Sequence, residues 1–397
     1  MLSKSFSRYE SRYFYALVAL GAFFVFLGYL AMHTMEEHGH IVTGMNNQIV
    51  WGIPHVFAIF MIVAASGVLN IASIGTVFGK TPYKTRSPLA GLLAIALLSG
   101  GLAVLMLDLG RPDRMIVAAT HFNPTSVFAW NIFLYSGFFS LAVLYLWTML
   151  EKRMNVWSKP VGFAMFAWRV LLTSGTGMIF AFLVVRQAYG SALLPPMFII
   201  LSFAWGLAVF QVVQSAMYAW NGKVLDPAIL KRMKNLLGLF VVSSLYLVAT
   251  YHMTNLYFAK QTGFEYFLLR DGGIYPMIFW GGFVALGSLL PLILIFLPGL
   301  GKGKSVVMAS LLVILGSFAL LYTFIIGGQV YPLSIFPGYE VSSSFGDGRI
   351  GNYVPSLYEI LLGVGGLAIA FLITIISTRV IKSIPHDVAV VAAKNND

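Results

Sequence analysis

The stretch Leu107-Asp-Leu-Gly-Arg-Pro-Asp-Arg114 sets two carboxylates and two guanidinium groups at the end of a long apolar run, Leu89 to Leu107. Charge this dense where an apolar run ends is costly unless it is paired or wetted. Gly110 admits backbone geometry closed to other residues, and Pro112 stops a helix. Two readings follow. Asp108, Arg111, Asp113 and Arg114 either form a helix-end turn among lipid head groups, or form a paired cluster at a membrane surface that holds a polar ligand or a partner. In the second reading Asp108 relays a proton, and Arg111 holds Asp108 ionised through its opposite charge.

A second group of chemical residues lies on the apolar run 49–78. His55 stands near its start, and intramembrane ionisable groups are candidate functional residues. At about 100° per residue, Ser66, Asn70 and Ser73 fall roughly 20°, 60° and 0° from His55. This polar face is either interhelical hydrogen bonding by small polar residues or a proton path ending at His55. Run 236–259 carries Thr250, Tyr251, His252 and Asn255 near the same depth. Two histidines at one depth could ligate a b-type haem, but the surrounding residues are not specific to one, and haem is disfavoured. Arg169, inside the fifth run, is expected to snorkel. His55, Asp108, Arg111, Asp113, Arg114, Arg186, His252 and Glu359 gather toward one surface. Such a set accepts protons and bonds a polar head while apolar walls hold a tail, which is what a quinone requires.

The elements that must position these residues are membrane helices. The chain is 59% hydrophobic and 10% charged, whereas soluble domains carry about 25% charge. A span needs about 20 mostly apolar residues. Ten runs qualify, at 13–32, 49–78, 87–108, 126–150, 161–188, 195–220, 236–259, 274–297, 304–327 and 356–381. The expectation is an all-α polytopic bundle forming a single integral membrane domain over 1–397. A faint echo between Ile53-Pro-His-Val-Phe57 and Pro195-Pro-Met-Phe198 suggests two four-helix halves, spans 2–5 and 6–9. The first run is too long for a cleaved signal peptide and leads into His33-Thr-Met-Glu-Glu37, so it reads as an uncleaved helix.

The absence of cysteine excludes disulfides, thiolate-bound iron–sulfur clusters and covalently attached c-type haem. The net charge of +11 flanks the spans, so it speaks for topology and against nucleic-acid binding. Lys and Arg are about three times as frequent on the side that holds both termini, which assigns the termini to the cytoplasm. The longer loops then face outward. Loop 33–48 carries Glu36, Glu37, His33, His38 and His40. Loop 260–273 carries Phe264, Tyr266 and Phe267. Loop 328–355 carries Tyr331, Phe336, Tyr339, Tyr353 and the Ser342-to-Gly348 stretch. Aromatic residues in long loops point to docking of a partner.

Asp108-Leu-Gly-Arg-Pro-Asp-Arg114 after an apolar helix resembles the signature of the polysulfide-reductase membrane subunit (NrfD) family. Trp51-Gly-Ile-Pro-His55 and Phe128-Ala-Trp-Asn131 strengthen the likeness. Ten spans resemble the family's longer branch, in particular the membrane subunit of the sulfite-reductase-linked Dsr complex. The resemblance implies a subunit of the bacterial or archaeal inner membrane that exchanges electrons between menaquinone or ubiquinone and a periplasmic ferredoxin-like iron–sulfur subunit. It implies no cofactor held by the chain itself. Multihaem cytochrome c and membrane cytochrome b subunits are further partners the resemblance allows, with membrane lipid around the bundle. The implied quinone pocket falls on His55 and Asp108–Arg114, with Asn131 and Tyr135 as weaker members. A secondary transporter, hinted at by Pro195-Pro196 and Gly327-Gly328, and a structural anchor without a quinone site are the rival readings.

Overall fold

A computed structural model describes residues 8–333 and 348–381, so Phe336, Pro337, Tyr339 and most of the Ser342-to-Gly348 stretch lie outside the described residues. Among the described residues there is no strand, and ten helices are long and apolar enough to cross a membrane. They are α1 (Arg8–His38), α2 (Ile53–Thr76), α3 (Ser87–Leu107), α4 (Val127–Leu150) and α5 (Ser158–Ala181). Then follow α6 (Leu194–Trp220), α7 (Pro227–Tyr257), α8 (Ile274–Phe296), α9 (Gly303–Val330) and α10 (Leu357–Val380). An even number of crossings leaves the start of α1 and the end of α10 on one face, the terminal face. The opposite face is the loop face.

Local chemistry starts these helices. Proline stands in the first turn of α2, α3, α6 and α7, where its missing N–H costs nothing. Asp226 caps α7 by accepting from Ala228 N. Ser356 and Glu359 form a reciprocal capping box at α10. Proline and cap together start α7 well before the expected residue 236.

Other boundaries also moved. α1 runs to His38, so His33, Glu36 and Glu37 are helical; no breaker intervenes before Gly39, which adopts φ 76°. α5 stops at Ala181 instead of continuing to 188. There Gly190 N bonds back to Phe180 O, and the Arg186 side chain is drawn sideways to the carbonyls of Gln48 and Gln329.

Close helix approach depends on a few glycines. A Cβ on Gly67 of α2 would stand 1.7 Å from the Ser202 carbonyl oxygen of α6. One on Gly206 of α6 would stand 2.2 Å from the Gly67 backbone. The two backbones therefore touch, as small residues permit between membrane helices. Gly28 and Gly365 do the same for α1 and α10. α2 is the central helix, packed against α3, α5, α6 and α10 and buried over most of its length. α1 lies at the edge, packed chiefly on α10. α8 and α9 contain π-helical turns at Ile278–Leu289 and Tyr322–Gly327.

Arg169 corrects one expectation. It does not snorkel: the side chain is 1% exposed, near the middle of α5. It donates to Ser66 O at 3.2 Å and to Asn70 Oδ1 at 2.7 Å, and lies 4.8 Å from the Phe166 ring centroid.

Candidate functional site

The loop face is assembled by polar staples on the segment joining α1 to α2. Gln329 of α9 accepts from Val50 N and Trp51 N and donates to Trp51 O. Arg186 donates to Gln48 O at 2.6 Å. Glu359 accepts from Gly44 N and Ser356 N, and also from the Tyr353 hydroxyl. That hydroxyl in turn accepts from Ile53 N at 2.7 Å, satisfying one orphan donor at the start of α2. Distant pieces of chain thus fix where residues 39–55 lie.

The consequence is a carboxylate between two imidazoles. Asp108, just past the last turn of α3, is 7% exposed. His55, in the first turn of α2, places Nδ1 3.0 Å from Asp108 Oδ2. His40 donates from Nε2 to the Asp108 carbonyl oxygen at 3.0 Å and stands 3.8 Å from Oδ1. A carbonyl only accepts, so His40 carries its proton on Nε2. The His55 contact has the distance of a hydrogen bond but not its alignment, so His55 Nδ1 and both carboxylate oxygens lack a well-directed partner.

Electrostatics at Asp108 runs in two directions. Burial would raise its carboxyl, but the close approach of the His40 and His55 imidazoles outweighs this and holds it below the ordinary carboxylate range. His40 is raised above its ordinary value by hydrogen bonding to Asp108, against its partial burial. The pair favours charged carboxylate and charged imidazole together.

The remaining motif residues part company with Asp108. Gly110 adopts φ 68° and turns the chain outward, with the His40 ring packed against it. Arg111 then pairs bidentately with Asp113 at 3.0 Å through both contacts, and both side chains are exposed. The expected Arg111–Asp108 pairing is therefore replaced by histidine–Asp108 pairing. Arg114 is likewise exposed. Asn131 is buried on α4, donating to Val127 O with its amide oxygen unmatched. Tyr135 lies one turn further along, half-buried. Trp51 joins the groups: its ring centroid lies 6.1 Å from His55, 6.3 Å from Phe128 and 5.5 Å from Phe180.

Along α2, Ser66 shares a hydrogen bond of 2.7 Å with Thr173, and Asn70 is taken by Arg169. Ser73 is buried nearer the terminal face. Between His55 and Ser66, α2 carries only apolar residues. His252 forms a second pair, Nδ1 to Glu265 Oε2 at 2.7 Å, with Asn255 donating to the other oxygen at 2.8 Å. His40 was the candidate residue hardest to see. His33, His38 and His40 share one segment, and only the reversal at Gly39 shows which of them faces inward.

Fold and site together define a polytopic helical membrane protein with a buried carboxylate between two half-buried histidines at one end of its central helix. The match to the family model for polysulphide reductase, NrfD, spans residues 41–332, and the chain belongs to this family. It is 30% identical over 381 residues to the Hdr-like menaquinol oxidoreductase integral membrane subunit of Archaeoglobus fulgidus, covering 95% of each chain. It is 23% identical to a selenate reductase subunit of Mesobacillus selenatarsenatis, covering 91% of this chain and 92% of that one.

Proposed function

We propose that this chain is the quinone-reactive membrane subunit of an oxidoreductase complex. It exchanges electrons between the menaquinone or ubiquinone pool and an iron–sulfur subunit docked on the loop face. The observation that carries the reading is Asp108, a buried carboxylate flanked by His40 and His55 where the central helix meets the membrane surface. The likeness to a menaquinol oxidoreductase membrane subunit supports it.

Quinone reduction takes up two electrons and two protons, and quinol oxidation releases them, so each ring oxygen needs a proton partner. His55 faces Asp108 with Nδ1, which leaves Nε2 as the nitrogen to meet a quinone oxygen. Histidine titrates near neutral pH. Asp108 stabilises the imidazolium formed on proton uptake, and His40 gives that charge a second neighbour through which a proton can leave. Trp51 and Phe128 supply the aromatic walls. The electrons pass to the partner, not to a group of this chain. Both termini lie in the cytoplasm in this reading, and loops 108–125, 260–273 and 328–355 contact the partner.

The test is oxidation of a quinol analogue, or reduction of a quinone analogue, by the purified complex. His55→Ala should lose turnover by about 100-fold or more, within the range of general acid–base contributions, while the subunits stay together. Wild-type rates in an intact His55→Ala complex would refute the site.

A further inference from the structure

A polar seam crosses the bundle between α2, α4 and α5. On α2, Ser66, Asn70, Ser73 and Thr76 recur at three- and four-residue spacing, so they share one face. The first three are buried. α5 opposes them with Arg169, Thr173 and Thr176, at the same spacing and all buried. The two faces meet where Ser66 shares a hydrogen bond of 2.7 Å with Thr173 and Arg169 donates to Asn70 Oδ1 at 2.7 Å. Toward the terminal face, Thr76 shares a hydrogen bond with the Tyr145 hydroxyl of α4. Toward the loop face, Tyr135 of α4 reaches Thr176, and the Asn131 amide reaches the Gly175 carbonyl at 3.4 Å. Hydroxyls and amides thus follow one another from the last residue of α2 to the second turn of α4.

One charge stands in this seam. Arg169 is buried, and α2, α4, α5 and α6 contain no Asp or Glu to neutralise it. Its acceptors, Ser66 O and Asn70 Oδ1, are neutral, and Nε has no acceptor. The Phe166 and Phe203 ring centroids lie 4.8 and 5.6 Å from the guanidinium carbon. A guanidinium stays charged inside a protein. Burying one without a counter-charge is costly, so packing gives no reason for it. Its field does give one. A cation moving along the seam must pass close to Arg169, and an arginine on a polar path is a barrier to protons and other cations.

We infer that Arg169 is an electrostatic seal that keeps the seam between α2, α4 and α5 from conducting protons from one face of the membrane to the other. The polar stripe of α2 is then a hydrogen-bonded helix interface with a guarded centre, and not a route to His55. Under the quinone reading, the protons of that site exchange on the loop face, through His40.

The test uses the full chain in phosphatidylcholine liposomes with trapped pyranine, and a potassium gradient with valinomycin drives protons inward. Neither quinone nor partner is present, so the result is independent of the quinone reading. Wild type should be as tight as empty liposomes until an uncoupler is added. At an effective dielectric constant of about 20, a fixed positive charge about 6 Å away slows passage of a proton by about 100-fold. Arg169→Gln removes the charge and keeps polar groups in the seam, so the leak should rise by about 10- to 100-fold. Arg169→Lys keeps a charge and should stay near wild type. Asn70→Asp puts a carboxylate where the amide oxygen meets the guanidinium, and cancels its field with little change of shape. It should leak as Arg169→Gln does, and it decides the matter if Arg169→Gln fails to fold. Wild-type tightness in folded Asn70→Asp or Arg169→Gln would overturn the proposal. An equal leak in Arg169→Lys, tracing the effect to disturbed packing, or a leaky wild type would overturn it as well.

Discussion

At the scale of single residues the site turns on charge states. Asp108→Asn removes the charge that steadies imidazolium at His40 and faces His55, so turnover should fall and its pH profile should shift, with assembly kept. The His40–Asp108 pair gives a signed expectation for stability. His40 is raised in the folded protein, so its contribution is fully present below its ordinary 6.5 and lost as pH rises through the raised value. Asp108 is lowered, so its contribution is present above its ordinary 3.8 and lost as pH falls through the lowered value. The stabilisation from the pair is therefore greatest between about pH 4 and 6.5. Thermal unfolding of wild type and His40→Gln across pH 5 to 9 should show a gap that narrows above neutrality. A gap that widens with pH would contradict the assignment. Arg111 and Asp113 are exposed to solvent, where ion pairs contribute little. Arg111→Ala should leave the bundle's melting point nearly unchanged, and any effect should appear in partner binding.

At the scale of elements, two buried polar contacts hold helices in place. Glu359 is fully buried and satisfies Tyr353, Gly44 and Ser356 together. Glu359→Ala strands those donors, each of which costs about 1–3 kcal/mol when left buried and unsatisfied. It should also loosen residues 39–55, so quinone turnover should fall although Glu359 is not part of the reacting group. Hydrogen–deuterium exchange over 39–55 would measure the loosening directly. Asn70 is the near partner of Arg169 in the middle of the bundle. Asn70→Leu leaves a buried guanidinium short of an acceptor and should cost a similar amount, read as a lower unfolding temperature in detergent. Asn70→Gln can reach the same atom and should recover part of the loss. A neutral outcome in Asn70→Leu would mean that Arg169 is solvated in some other way.

At the scale of the whole molecule, topology and docking follow from the spacing of spans and charges. A reporter fused after Asp397 should be active in the cytoplasm, and activity only on the far side of the membrane would reverse the assigned orientation. Deleting 338–350 should release the proposed iron–sulfur partner while the ten spans still insert. An intact complex after that deletion would move the docking surface to loops 108–125 and 260–273. Much of this level was legible in the chain itself. Ten apolar runs appear as ten helices because a bilayer demands continuous intrasegment hydrogen bonding over a fixed thickness. The Asp108-to-Arg114 motif identified the family because turn residues and charges at fixed spacing are visible without a fold. Ends of helices were less legible: capping at Asp226 and the reversal at Gly190 depend on single residues and distant partners.

Composition and periodicity alone determined the class, the number of spans, the charge asymmetry and the presence of His55 and Asp108 at neighbouring helix ends. The tertiary structure decided who pairs with whom. It put His40 on Asp108 and sent Arg111 outward to Asp113, because Gly110 reverses the backbone and Gln329, Arg186 and Glu359 hold residues 39–55 over the end of α3. It also turned Arg169 inward onto Asn70 instead of letting it reach the membrane surface. Span-forming apolarity is a property of local sequence. The partner of a charged side chain is set by residues far along the chain, and only the packed molecule brings them within about the 3 Å of a hydrogen bond.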